Sequence, residues 1–142
     1  MKLPLRQSAL LLALSLLASA GEALYFRNQI PWHSRVAESE FVEGESAKGW
    51  GDTALWVDAR PTDEFERAHV PGAVSLNEDR WNEALPEFLA THWSPDKKIV
   101  VYCSAASCNL AEDVRRRLRE EAKLPNDIRI LKGGWEAWLE KK

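Results

Sequence analysis

The chain has 142 residues and is 45% hydrophobic, which is enough for one domain with a packed core and little more. Its formal net charge is -3, and basic residues are interspersed with acidic ones, so no surface for a polyanion is indicated. The sequence therefore predicts one domain, with no nucleic acid among its partners.

Residues 1–20 have the pattern of an export signal. Lys2 and Arg6 precede an apolar run over residues 9–18, and Ala18-Ser19-Ala20 supplies a small-x-small cleavage motif. We expect cleavage after this motif or, alternatively, after Ala23, since the run is shorter than the roughly 20 residues of a membrane span. The other outcome is an uncleaved anchor. Both outcomes predict a periplasmic or otherwise extracytoplasmic protein, which contacts a membrane only if the segment is uncleaved.

Residues 21–51 are weakly patterned and are predicted to be a linker and N-terminal lead-in to a domain over residues 52–142. Pro31 and several glycines interrupt this segment, and one short strand or helix is expected between Val36 and Ala47. The apolar run 54–57 then predicts a buried strand, which ends at Asp58-Ala59-Arg60-Pro61.

Strands and helices are expected to alternate through the rest of the chain. Further strands are predicted over residues 73–76, 99–102 and 128–131. Helices are predicted over residues 64–67 with Thr62 or Asp63 as the cap, 79–91 with Pro86 as a breaking point, 109–122, and after Gly133-Gly134. This alternation without hairpin turns predicts an α/β fold, a mainly parallel sheet with helices on both faces. Ligands bind such sheets beyond the carboxyl ends of the strands.

Both cysteines lie in one segment, residues 103–109, which we call the thiol loop. Cys103 directly follows the apolar strand 99–102, and small residues lead to a helix that begins near Asn109. A thiol at a helix N-terminus is expected to have a lowered pKa. With no histidine or second cysteine pair nearby, neither a metal site nor another cofactor is expected.

The chain resembles single-domain rhodanese-like proteins between about residues 52 and 140. The segments that carry the resemblance, in order, are Leu55-Trp56-Val57-Asp58-Ala59-Arg60, Glu64-Phe65, His69-Val70-Pro71-Gly72-Ala73-Val74, Val100-Val101-Tyr102-Cys103 and Leu131-Lys132-Gly133-Gly134-Trp135. The resemblance implies about five parallel strands and a sulfurtransferase in which Cys103 passes sulfane sulfur, as a persulfide, from a small donor to a thiol acceptor.

The resemblance also implies roles for the residues around Cys103. A cradle of backbone amides is expected from Ser104, Ala105, Ala106, Ser107, Cys108 and Asn109. Asp58 and Arg60 are expected to tie neighbouring loops together, and His69 to hydrogen-bond a loop. Trp135 either lines the rim of the pocket or packs under the thiol loop. Cys108 is either a resolving thiol that forms a disulfide with Cys103 or a small filler.

The thiol loop departs from the commoner family pattern in its charge. Active rhodanese loops usually carry arginine or lysine beside the cysteine, whereas residues 104–107 here are small and neutral. Thiol or persulfide partners are therefore expected rather than thiosulfate. Two alternatives stay open: a thiol-disulfide redox element that uses Cys103 and Cys108, and a non-catalytic rhodanese-fold binding module in which Cys103 is a buried structural cysteine.

Overall fold

The computed structural model describes residues 36–105 and 108–140, together with Ser15 and Gly21 and, for Cys108, the backbone alone. The expected export signal and its cleavage motif lie outside this part of the chain. From Val36 onward the residues form one compact unit. Across the described ranges, none of the helices combines the length and apolarity needed to cross a membrane.

Five parallel strands form one sheet, as the sequence predicts. The strands are β1 (Phe41–Val42), β2 (Ala54–Asp58), β3 (Val74–Ser75), β4 (Lys98–Tyr102) and β5 (Ile128–Leu131). Their order is β1-β5-β4-β2-β3, and every neighbouring pair is parallel. The strand that precedes Cys103, β4, is therefore the central one.

Helices connect the strands. They are α1 (Gly44–Gly49), α2 (Thr62–Arg67), α3 (Trp81–Glu87), α4 (Cys108–Glu120) and α5 (Gly134–Leu139), with short 3-10 turns at Glu38–Glu40 and Gly51–Thr53. Pro86 does not break the expected helix 79–91: α3 continues into a π-type turn over Phe88–His92. The Trp93 N–H donates to the Phe88 carbonyl across that wider turn, at 2.9 Å.

Both faces of the sheet are buried, which explains the continuous apolar runs of β2, β4 and β5. On one face, Val57, Val101 and Ile130 pack with residues of α3 and α4, including Trp81 and Val114. The residues that alternate with them pack on the other face, against α1 and α5; they include Trp56, Val100, Tyr102 and Leu131. The core thus holds β4 from both sides.

The compact unit begins before residue 52, where the sequence suggested that the domain starts. β1 comes from the segment predicted as lead-in, and Phe41 and Val42 pair with Ile130 and Leu131 of β5. A strand of two residues is too short to show a periodic pattern, so pairing rather than local sequence defines it.

The start of α2 also differs from the expectation. Pro61 occupies the position before the helix, Thr62 is its first residue, and no side chain of the cap accepts a hydrogen bond there. The Thr62 hydroxyl instead accepts a hydrogen bond from the Asn77 amide, at 3.1 Å. Thr62 therefore joins α2 to the segment after β3.

Candidate functional site

The carboxyl ends of β2 and β4 bring the predicted site residues to one edge of the sheet. Asp58 and Tyr102, the last residues of these strands, are register partners. The Ala59 N–H donates to the Tyr102 carbonyl at 2.9 Å, which continues the pairing one residue beyond β2. Cys103 follows directly, so the thiol loop leaves the sheet beside Asp58 and Arg60.

Cys103 is completely buried, with 0% of its surface exposed. It belongs to the core cluster that also contains Leu55, Val57 and Ala59 of the neighbouring strand and its end. A donor molecule therefore reaches the thiol only after the atoms over it move aside. This burial is the feature that the structural-cysteine alternative predicts, whereas a nucleophile at this position must be uncovered during turnover.

The start of α5 holds the backbone of Cys103. The Trp135 N–H donates to the Cys103 carbonyl at 2.7 Å. Gly134, with φ of +60°, lies so close that a Cβ atom there would be 2.3 Å from the same carbonyl oxygen. The second glycine of the Gly133-Gly134 pair is thus required by close approach as well as by its left-handed backbone.

A second contact from α5 brings a carboxylate to the thiol loop. The Ala105 N–H donates to Oε2 of Glu136 at 2.9 Å. Glu136 is exposed and was not among the predicted site residues. An acidic residue in the first turn of a helix is common because of the helix dipole, so the sequence offered no specific signal for this contact.

Asp58 and Arg60 form a buried ion pair. Nη2 of Arg60 lies 2.7 Å from Oδ2 of Asp58, and the two side chains are 4% and 0% exposed. Burial opposes the charged form of Arg60, but the hydrogen bond and the charge of Asp58 outweigh it and raise the pKa of the guanidinium. Nη2 also donates to the Ala68 carbonyl at 2.7 Å, so the pair fixes the chain beyond α2.

Arg60 lies against two aromatic rings at the same edge. Its guanidinium carbon is 4.6 Å from the ring centroid of Trp135 and 5.6 Å from that of Tyr102. These two rings are stacked, with centroids 6.3 Å apart. Trp135 also lines a surface cleft of about 280 Å³ with Arg60, Glu64 and Arg67. The Trp135 ring therefore packs against Arg60 and Tyr102 and borders this cleft.

Tyr102 contributes a buried hydroxyl to this network. The Val70 N–H donates to the hydroxyl oxygen at 3.1 Å. Burial is the main cause that raises the pKa of Tyr102, and the nearby Asp58 adds to it. The phenol is therefore neutral at physiological pH. The sequence marked Tyr102 only as the end of a strand, since its partner lies 32 positions away.

His69 is exposed and contacts α2. Its Nδ1 donates to the Phe65 carbonyl at 2.8 Å, and its ring stacks on the Phe65 ring with centroids 4.0 Å apart. The contact caps α2, because Phe65 lies in its last turn. His69 thus acts on the helix that precedes the turn at Pro71-Gly72.

The structure describes part of the expected amide cradle. Ser104 is half-buried, Ala105 and Asn109 are exposed, and Ala106 and Ser107 lie outside the described residues. The side chain of Cys108 is also outside them, so its role as a resolving thiol stays a prediction. Among the described residues, no three histidine, cysteine or acidic side chains cluster as metal ligands would.

The sequence has recognisable relatives. The family profile described as "Rhodanese-like domain" matches residues 43–141. A curated relative, the HTH-type transcriptional regulator Rv0324 of Mycobacterium tuberculosis, is 31% identical over 88 residues. These residues are 62% of this chain and 35% of the relative, so the chain spans about a third of the length of that regulator.

Solved structures share the fold. A rhodanese-related protein from Thermoplasma volcanium matches with a TM-score of 0.54 at 15% identity, over 70% of this chain and 90% of that one. The BH2092 protein from Bacillus halodurans matches with a TM-score of 0.55 at 21% identity, over 85% of this chain and 80% of that one. At such identities the likeness concerns the fold alone.

Proposed function

This chain belongs to the rhodanese-like domain family, and we propose that it is a sulfurtransferase whose Cys103 carries sulfane sulfur as a persulfide. The position of Cys103 is the observation that carries the proposal. It follows the central strand at the carboxyl edge of the sheet, and α4 begins at Cys108. In the proposed mechanism, the backbone amides expected after Cys103 and the N-terminus of α4 favour the anions that sulfur transfer develops.

Sulfur transfer requires two nucleophilic displacements. In the first, the Cys103 thiolate attacks the outer sulfur of a donor persulfide, R-S-SH. The sulfur-sulfur bond of the donor breaks, its electron pair leaves with R-S⁻, and Cys103-S-SH forms. In the second, an acceptor thiolate attacks the outer sulfur, which forms the acceptor persulfide and restores the Cys103 thiolate. No external oxidant is needed, because the transferred sulfur keeps its oxidation state.

The surroundings of Cys103 support small thiol and persulfide partners. Residues 104–107 carry no charge, and the buried guanidinium of Arg60 is already paired with Asp58. Little positive charge is therefore available to hold a dianion such as thiosulfate. From the export pattern of residues 1–20 we also propose that these partners are extracytoplasmic, in a compartment where disulfides form and persist.

Intact-mass measurement tests the proposal. Incubation with cysteine persulfide should add about 32 Da, one sulfur atom, to the wild type and to Cys108→Ser but not to Cys103→Ser. A thiol acceptor added afterwards should remove this mass. If neither cysteine persulfide nor thiosulfate produces an adduct at Cys103, the proposal is wrong. A loss of about 2 Da without reductant would report the Cys103–Cys108 disulfide of the redox alternative.

The burial of Cys103 supports a second candidate function, that of a non-catalytic binding module. Its thiol is enclosed in the core cluster, as a structural cysteine would be. The regulator from Mycobacterium tuberculosis, which this chain matches in part, is described as a transcriptional regulator. Alkylation separates the two candidates: in the folded Cys108→Ser variant, a module would protect Cys103 from iodoacetamide, whereas a sulfurtransferase would react faster than an ordinary thiol at neutral pH.

A further inference from the structure

We propose that Glu136 determines the charge of the sulfur donors that this protein accepts, by placing a carboxylate on the thiol loop. The inference rests on the proposed function and names its substrate class: monoanionic or neutral persulfides, with dianionic donors such as thiosulfate disfavoured. Glu136 would be a specificity-determining residue, since it contacts Ala105, two residues after Cys103, rather than Cys103 itself.

The first observation is the hydrogen bond between Glu136 and the thiol loop. The Ala105 amide, two residues after Cys103, donates to Oε2 of Glu136 at 2.9 Å. This amide is one of those expected to hold an anionic donor. A donor oxygen that binds there must displace the carboxylate, and it then lies beside a negative charge.

The second observation is the absence of a compensating positive charge. Among the described residues, no lysine or arginine forms an ion pair with Glu136. Arg60, the cation nearby, is held by Asp58 and Ala68 and lies against the ring of Trp135. Within the described part of the chain, no ion pair neutralises the carboxylate, and solvent and salt weaken its repulsion of an approaching dianion.

The third observation is that the backbone fixes where Glu136 lies. The preceding residue, Trp135, donates its N–H to the Cys103 carbonyl at 2.7 Å. Gly134 contacts the same peptide group, because it is too close to admit a Cβ atom. Glu136 directly follows these two residues, so the backbone contacts fix the position of its carboxylate at the Ala105 amide.

Glu136→Gln removes the charge and keeps an oxygen that can accept the Ala105 hydrogen bond. With thiosulfate as the donor, we expect the rate of persulfide formation to rise about tenfold in this variant, because repulsion between a carboxylate and a dianion is lost. With cysteine persulfide the rate should change by less than about twofold. Asp52→Asn is the matched control: it removes one exposed carboxylate just before β2, at the opposite edge of the sheet, and should alter neither rate.

A second measurement is independent of sulfur transfer. Iodoacetate and iodoacetamide alkylate a thiol by the same displacement of iodide, but iodoacetate carries a negative charge. In the Cys108→Ser background, Glu136→Gln should raise the ratio of the iodoacetate rate to the iodoacetamide rate at Cys103 about threefold, and high salt should reduce the difference.

The two measurements distinguish failure of the inference from failure of the proposed function. If no donor forms a persulfide, the sulfurtransferase proposal fails, and the alkylation ratio still tests the charge effect. If persulfide forms but Glu136→Gln changes neither the donor preference nor the alkylation ratio beyond the Asp52→Asn control, the inference is wrong. If both rates change together in Glu136→Gln, the residue anchors the loop without selecting charge, which also contradicts the inference.

Discussion

The two sides of the carboxyl edge are held by different kinds of interaction. On the β2 side, the buried side chains of Asp58 and Arg60 bond each other, and Arg60 donates to the Ala68 carbonyl. The buried hydroxyl of Tyr102, from the end of β4, adds to this network by accepting the Val70 N–H. On the β4 side, the thiol loop is held by the backbone of Trp135 and by one exposed carboxylate. The bonds on the β2 side thus depend on the identity of its side chains, whereas the bonds that α5 makes to Cys103 and Ala105 depend on the path of its backbone and on Glu136.

This difference predicts that the β2 side mainly determines the free energy of unfolding and that the thiol loop side mainly determines the reactivity of Cys103. Buried charged groups are costly to disturb, so changes on the β2 side should reduce the free energy of unfolding strongly. Changes on the thiol loop side that preserve the backbone should alter reactivity with little cost in stability. The following predictions test this contrast, from the largest expected effect to the smallest.

Asp58→Ala should cause the largest loss of stability. It leaves the guanidinium of Arg60 buried without its carboxylate, and we expect a loss of about 4 kcal/mol in the free energy of unfolding, measured with urea. The control is Asp63→Ala, which breaks the exposed pair with Arg67, whose side chains are 74% and 72% exposed. That change should cost less than about 1 kcal/mol. Equal losses in the two variants would contradict the contrast.

Gly134→Ala should cost about 3 kcal/mol, the largest effect expected on the thiol loop side. The added Cβ atom would lie 2.3 Å from the Cys103 carbonyl oxygen, and the alanine would have to keep the backbone φ of +60°. Gly72→Ala separates these causes, because φ there is +79° but no atom lies within 4 Å of a Cβ. The control should cost about 1 kcal/mol. A loss in Gly134→Ala no greater than this would show that the close approach has no energetic importance.

Tyr102→Phe should cost about 1 to 2 kcal/mol at neutral pH, because the buried Val70 N–H loses its acceptor. The effect should depend on pH. Burial raises the pKa of Tyr102, so the folded protein keeps the phenolic proton at a pH where the unfolded chain loses it. The stability contributed by this group is therefore complete below about pH 10 and falls as pH rises further.

The pH dependence supplies its own check. Urea unfolding of the wild type and Tyr102→Phe, compared between neutral pH and pH values above about 10, should show the difference between them shrinking. A difference that stays constant over this range would mean that Tyr102 titrates alike in the folded and unfolded chains.

Glu136→Gln should have the smallest effect on stability, less than about 0.5 kcal/mol, since the residue is exposed and the variant retains a hydrogen-bond acceptor. Urea unfolding of this variant beside Asp52→Asn checks the prediction. A large destabilisation would mean that Glu136 supports the fold as Asp58 does, and it would contradict the contrast between the β2 side and the thiol loop side.

The sequence predicted most of the framework because its signals are local. β4 and β5 were predicted to within one residue, since each is an apolar run that fills a strand buried on both faces. For β1 the sequence suggested only a short strand or helix between Val36 and Ala47, because two residues carry no period and only pairing with β5 defines them. The start of α2 was likewise not predicted, because Pro61 precedes the helix and the Thr62 hydroxyl accepts a hydrogen bond from Asn77, which is distant in sequence.

The site was predictable only where local pattern or family resemblance marked it. Cys103 follows a strand, and Asp58, Arg60 and Trp135 lie in segments that carry the resemblance. The role of Glu136 was not predictable, because it depends on a hydrogen bond to a residue 31 positions earlier. An exposed glutamate in a short helix has no sequence feature that distinguishes it from a solvated one.

The connection between α5 and the thiol loop has a consequence for how the site comes into being. A polypeptide is made from its N-terminus, so Cys103 is synthesised before the Gly134 and Glu136 that lie against its loop. The nascent chain therefore displays a thiol whose surroundings are still incomplete. The cysteine acquires its final environment only after α5 has been synthesised and has packed against it. The reactivity of Cys103 in the finished protein therefore depends on a late step of folding.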